Sequence, residues 1–162
     1  MHVQGTGIQL DFVQAYRKTA DYCAMQDRCI SEVRLKLKSW NTDSSFEDEI
    51  IIRLIAEGFI DEKRYAINFA GGKFRINGWG KLKIAAALRF RSIPSLLIKQ
   101  ALAAIHNDEY MTCLEILLEK KLKHSGDNSA LSLQKAVRFA ASRGFEMELI
   151  KACLKENEII DI

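Results

Sequence analysis

The sequence is poor in the residues that interrupt helices. It has one proline, Pro94, and no run of alternating β-branched residues, so nothing in it favours a sheet. Its four cysteines (Cys23, Cys29, Cys113, Cys153) form no Cys-x-x-Cys pair. They occupy apolar positions of helical patterns, which predicts buried free thiols rather than disulfides or metal ligands. The three histidines, His2, His106 and His124, lie far apart without His-x-x-x-His spacing. No apolar run approaches the roughly 20 residues of a membrane span, and MHVQGTGIQLDFV lacks the basic start and apolar core of a leader. A cytoplasmic monomer is expected.

Catalytic patterns are equally scarce. Gly5-Thr6-Gly7 and Gly71-Gly72 lack the preceding strand and following lysine–serine of a phosphate loop. The acids Glu47-Asp48-Glu49 open a helix, where they complement its dipole, and no second cluster at helical spacing faces them. Ser31 opens a helix with no base nearby. The expectation is no enzyme, no metal, no cofactor and no small-molecule substrate.

What is present is helix. Apolar residues make up 48% of the 162 residues, enough to bury a core. The 3.6-residue periodicity predicts nine helices, at about 11–25, 29–40, 46–57, 62–76, 80–91, 94–105, 108–123, 129–143 and 146–156. Ser45 is expected to cap the third and Asp61 the fourth; Gly58, Gly78 and Gly144 suit left-handed stops. Pro94 suits a first turn, and His124 to Asn128 reads as a loop. In the fourth helix Ala66, Ile67, Ala70 and Phe74 form one apolar stripe and Tyr65, Phe69 and Ile76 another, as in a helix sandwiched between neighbours.

These helices repeat. At an offset of 52, Lys83 matches Lys135, Arg91 matches Arg143, Leu97-Ile98-Lys99 matches Leu149-Ile150-Lys151, and Leu102 matches Leu154. At an offset of 47, Asp61-Glu62 matches Asp108-Glu109; Val33 and Leu37 correspond more distantly to Ile84 and Leu88. The reading is an all-α, elongated stack of three three-helix repeats: a tail at 1–10, then 11–60, 61–107 and 108–157. Each is too small to bury its own apolar faces alone.

Charge is uneven. Residues 1–62 carry seven basic and eleven acidic residues, and 108–162 carry eight and ten; residues 63–107 carry nine basic residues and no acid. Faces that merely solubilise mix signs, so this block predicts a basic ridge for an anionic partner. Its members are Arg64, Lys73, Arg75, Lys81, Lys83, Arg89 and Arg91, continued by the repeat copies Lys135 and Arg143. The plainer reading is a solvated helix face. Trp79 reads first as a core plug between helix ends and second as a contact residue.

The run Gly58-Phe59-Ile60-Asp61-Glu62, Arg64-Tyr65-Ala66, Lys73, Arg75, Gly78-Trp79-Gly80 and Lys81-Leu82-Lys83-Ile84 resembles the signature of the RecX regulatory family. Glu32-Val33-Arg34-Leu35-Lys36-Leu37 upstream and Arg143-Gly144-Phe145 with Leu149-Ile150 downstream are similar to its other repeats, so the likeness covers about 20–156. Gly71-Gly72, and Ala85-Ala86-Ala87 in place of arginines, depart from the pattern. The resemblance implies tandem three-helix repeats that lie in the groove of a RecA–DNA filament and limit its growth, nucleotide hydrolysis and strand exchange. Direct binding to DNA phosphates without RecA is the alternative.

Overall fold

The computed structural model describes residues 9–126 and 129–156. Among them are nine α-helices, one short 3-10 helix and no strand. The described residues form two compact units: one holds those up to Tyr65 with Arg91–Ile93, the other Ala66–Phe90 and those from Pro94 on.

The first unit contains α1 (Phe12–Met25), α2 (Ile30–Ser39) and α3 (Glu47–Ala56). Asp11 starts α1 with a capping box, its carboxylate accepting from the Gln14 amide at 2.8 Å. Ala15, Val33, Leu37, Ile50 and Leu54 are fully buried where the three helices meet. Ser45 does not cap α3. Asp43 caps a 3-10 turn, Ser44–Phe46, through the Ser45 amide at 2.9 Å, and Phe46 precedes α3. The shorter Asx turn satisfies the amides first. Gly58 (φ +78°) ends the unit's last helix, and Asp61 caps α4 (Glu62–Asn77) by accepting from the Arg64 amide at 2.9 Å.

Helix α4 begins in the first unit and continues in the second, which adds α5 (Lys81–Phe90), α6 (Ser95–Ala103), α7 (Asn107–Ser125), α8 (Ala130–Ser142) and α9 (Met147–Glu156). Ala66, Ala70 and Phe74 are buried as one stripe. The second expected stripe fails at its end, since Ile76 is 84% exposed. The last turn of α4 presents Arg75, Ile76 and Asn77 outward and turns only Phe74 in. Pro94 stands just before the first turn of α6, and α7 runs on through His124 to Ser125 before Gly126 (φ +75°). Of the expected buried thiols, Cys113 is only half-buried.

The tandem repeats are visible in the backbone. Asn41, Ser92 and Gly144 are all left-handed and stand 51 and 52 residues apart, each just beyond a helix end. Only glycine adopts that conformation without cost, so non-glycine residues there in two of three copies mark an imposed turn. Burial repeats in step: Val33, Ile84 and Ala136 are fully buried, as are Leu37, Leu88 and Ala140.

Candidate functional site

The chemistry-bearing side chains of the second unit gather where α5 begins and α8 ends. The Gly80 amide donates to the Arg143 carbonyl at 2.8 Å and the Leu82 amide to the Gly144 carbonyl at 3.0 Å, so orphan donors of one helix meet orphan acceptors of another. Only glycine permits this approach: a Cβ on Gly80 would fall 2.2 Å from the Gly144 backbone, and one on Gly144 would fall 2.3 Å from Lys83 Cβ. Tyr110 fixes the same junction from beneath. Its hydroxyl accepts from the Lys81 amide at 2.9 Å and donates to Glu146 at 2.6 Å, with its ring stacked on Phe145 at 5.0 Å. Burial pushes the Tyr110 phenol pKa upward, and its bond to Glu146 adds to the shift.

Around this junction Trp79 is half-buried, neither plugged in the core nor free. Lys73 and Lys83 place their ammoniums 4.9 and 4.8 Å from its ring centre. Lys83 also reaches the Ser142 carbonyl at 3.5 Å. Arg143 donates from Nη2 to the Asn77 carbonyl at 2.7 Å and lies over Phe139, as does Lys121 at 4.7 Å. Lys81 sits over Tyr110 at 4.7 Å and contacts Asn107. Among the described residues, Lys73, Lys81, Lys83 and Arg143 meet no carboxylate within ion-pair distance.

The other expected residues divide. Arg75 folds back over Gly71, where an added Cβ would lie 3.0 Å from Nη1; the pair lines a cavity of about 300 Å³ with Asn68, Ala101 and Ile105. Because the exposed Arg75 guanidinium can swing aside, this contact does not require a glycine at 71, and Gly72 faces open space. Arg89 and Lys135 are exposed on α5 and α8. Arg64 and Arg91 are both ion-paired within the first unit. Arg64 pairs with Asp27 at 2.9 Å and Arg91 with Glu32 at 3.6 Å. Arg91 and Arg143 also lie one residue past their helices, α5 ending at Phe90 and α8 at Ser142, rather than on a shared helical face with Lys83 and Lys135.

Two features escaped the sequence reading. Phe90 is 88% exposed beside Arg89, although its type suggests core. Phe139 carries Lys121 and Arg143 and borders a groove of about 480 Å³ between α7 and α8, floored by Ile116 and Leu117. Among the described residues no helix is long and apolar enough to cross a membrane, and no group of three or more His, Cys, Asp or Glu side chains is placed to hold a metal.

Fold and surface together define an all-helical tandem-repeat protein whose distinctive chemistry is a cluster of cations braced by aromatic rings. Models of the RecX second and third three-helix domains match residues 61–102 and 108–154. The regulatory protein RecX of Geobacillus kaustophilus (strain HTA426) is 31% identical over 145 residues, 89% of this chain and 54% of the relative. That of Bacillus mycoides (strain KBAB4) is 24% identical over 144 residues, 88% and 53%. The crystal structure of RecX from Lactobacillus salivarius has a TM-score of 0.82 at 23% identity, covering 92% of this chain and 97% of the other. The chain belongs to the RecX family. It spans about half the length of the curated relatives it matches.

Proposed function

We propose that this protein is a non-catalytic regulator that binds the RecA–DNA filament and inhibits its ATPase and recombinase activity, modulating DNA repair. The observation that carries the reading is the gathering of Lys73, Lys81, Lys83 and Arg143 at one junction, none of them within ion-pair distance of a carboxylate among the described residues. A nucleoprotein polymer is anionic, and cations held by rings and backbone carbonyls lose little side-chain entropy on meeting it. Membership of a family whose relatives are named regulatory proteins supports the same reading. Restraining a filament is a steric and electrostatic act that needs no catalytic group. The protein acts in the cytoplasm as a monomer, its three repeats taking 11–60, 61–107 and 108–157; residue 157 lies outside the described residues.

The test is ATP turnover by RecA on single-stranded DNA with increasing amounts of this protein. Inhibition is expected, and the triple variant Arg75→Glu, Lys81→Glu, Lys83→Glu should unfold near the wild-type temperature yet inhibit at least tenfold more weakly. Turnover unaffected by the wild type would remove the reading. A second reading, direct binding to DNA phosphates, is favoured by the same uncompensated cations. It predicts affinity for duplex DNA falling with salt at a log–log slope near −0.9 per phosphate, with no need of RecA.

A further inference from the structure

The first junction between repeats displays what the second lacks. In α2 the N-terminal stop is Cys29 and the third helical residue is Glu32; in α5, 51 residues on, these positions are Gly80 and Lys83. The residue closing the next repeat's second helix is Arg91 in one case and Arg143 in the other, each just before a left-handed residue, Ser92 or Gly144. Each arginine carbonyl is engaged by the start of the preceding repeat's second helix, though by different donors. The Arg91 carbonyl accepts from the Ser31 hydroxyl at 2.9 Å, and the Arg143 carbonyl accepts from the Gly80 amide at 2.8 Å.

The charges do not correspond. At the first junction Glu32 holds Arg91 at 3.6 Å and also accepts from the Tyr65 hydroxyl at 2.9 Å, so the arginine is neutralised from within. At the second junction a lysine replaces the glutamate; the carboxylate present there, Glu146, accepts from the Tyr110 hydroxyl at 2.6 Å and lies within ion-pair distance of neither Lys83 nor Arg143. Lys83 and Arg143 turn to the carbonyls of Ser142 and Asn77 instead, contacts that occupy one donor of each without cancelling charge.

We propose that Lys83 and Arg143 form a receptor for a carboxylate, an aspartate or glutamate side chain of a protein partner, and that Glu32 on Arg91 is its internal template. This rests on the filament reading and narrows it: the second junction grips the protein component of the filament, not the phosphates. The template favours a carboxylate because the group that settles beside the equivalent arginine is one. Lys83 is then the specificity-determining residue, since restoring a glutamate there fills the receptor from within.

The experiment compares the wild-type chain, Lys83→Glu, Lys83→Ala and, as a control of equal charge change, Lys151→Glu on the exposed face of α9. Three readouts are taken: inhibition of RecA ATPase, anisotropy of a fluorescein-labelled glutamate octapeptide, and anisotropy of a labelled thymidine oligonucleotide. Lys83→Glu is expected to unfold at or above the wild-type temperature, because an acid in the first turn suits the helix dipole and gains Arg143. It should lose inhibition and octapeptide affinity at least tenfold while holding the oligonucleotide within twofold. Lys83→Ala should fall between it and the wild type, and Lys151→Glu should match the wild type. Equal octapeptide affinity in wild type and Lys83→Glu overturns the proposal, as does a parallel loss of oligonucleotide affinity, which would make phosphate the ligand. Should the wild type fail to inhibit RecA while its octapeptide binding still depends on Lys83, the filament reading alone falls.

Discussion

Lys83 and Gly144 lie so close that a Cβ on the glycine would stand 2.3 Å from Lys83 Cβ and 2.5 Å from its amide nitrogen. Gly144 also holds φ at +94°. Contact and conformation both depend on the missing side chain, and together they bring α5 near enough to α8 for the amide–carbonyl bonds that seat Lys83 beside Arg143.

Gly144→Ala therefore forces α5 away from α8. Overpacking costs about 1–3 kcal/mol and a left-handed non-glycine residue about 1–2 more, so a loss of roughly 2–5 kcal/mol is expected by urea denaturation. Inhibition of RecA should weaken even at temperatures where the variant is folded. A loss under about 0.5 kcal/mol would mean that the two backbones do not touch.

Leu88 is fully buried and stands at the same repeat position as Leu37 and Ala140. Leu88→Ala removes its methyls and leaves a cavity, which costs roughly 2–5 kcal/mol. Thermal unfolding of the variant checks this, and a midpoint within a degree of wild type would misplace α5.

Alkaline pH should weaken the fold. Burial pushes the Cys23 thiol from its usual 9.0 to about 11, and burial raises the phenols of Tyr65 and Tyr110 as well. In each case the folded chain keeps a proton that the unfolded chain releases. Stability is then fully present below the unfolded value and declines as pH climbs past about 9. Urea midpoints at pH 7, 9 and 11 should fall in that order, and thiol labelling of Cys23 should be slow until the chain unfolds. Equal midpoints at all three would contradict the burial.

Much of the fold was legible because its signals are local. Asp61 as a cap, and Gly58, Gly78 and Gly144 as left-handed stops, need only their neighbours to be understood. Where reading failed, a competing local bond decided, as when Asp43 rather than Ser45 took the turn before α3. The basic block was legible only as composition. A window free of acids cannot show that Arg64 meets Asp27, 37 residues back, or that Arg91 meets Glu32, so two ridge members proved to be structural ion pairs. Arg143 shows the reverse. It lies outside the block, yet the Gly80–Gly144 contact brings it to the block's centre.

The exposed ring of Phe90 gives the last prediction. At 88% exposure it contributes little to folding, so Phe90→Ala should shift stability by no more than about 0.5 kcal/mol. A large apolar ring on the surface beside Arg89 is, however, the composition that dominates protein interfaces, where truncating such an anchor costs about 2 kcal/mol or more. If the filament covers this end of α5, inhibition should weaken roughly tenfold or more, since about 1.4 kcal/mol is a factor of ten. Arg89→Ala alone should cost less, because a rim charge acts mainly on association rate and salt dependence. Stability and inhibition measured on the same preparation separate the alternatives. A folded Phe90→Ala protein that inhibits like wild type places the contact surface elsewhere, and one that unfolds early makes Phe90 part of the core after all.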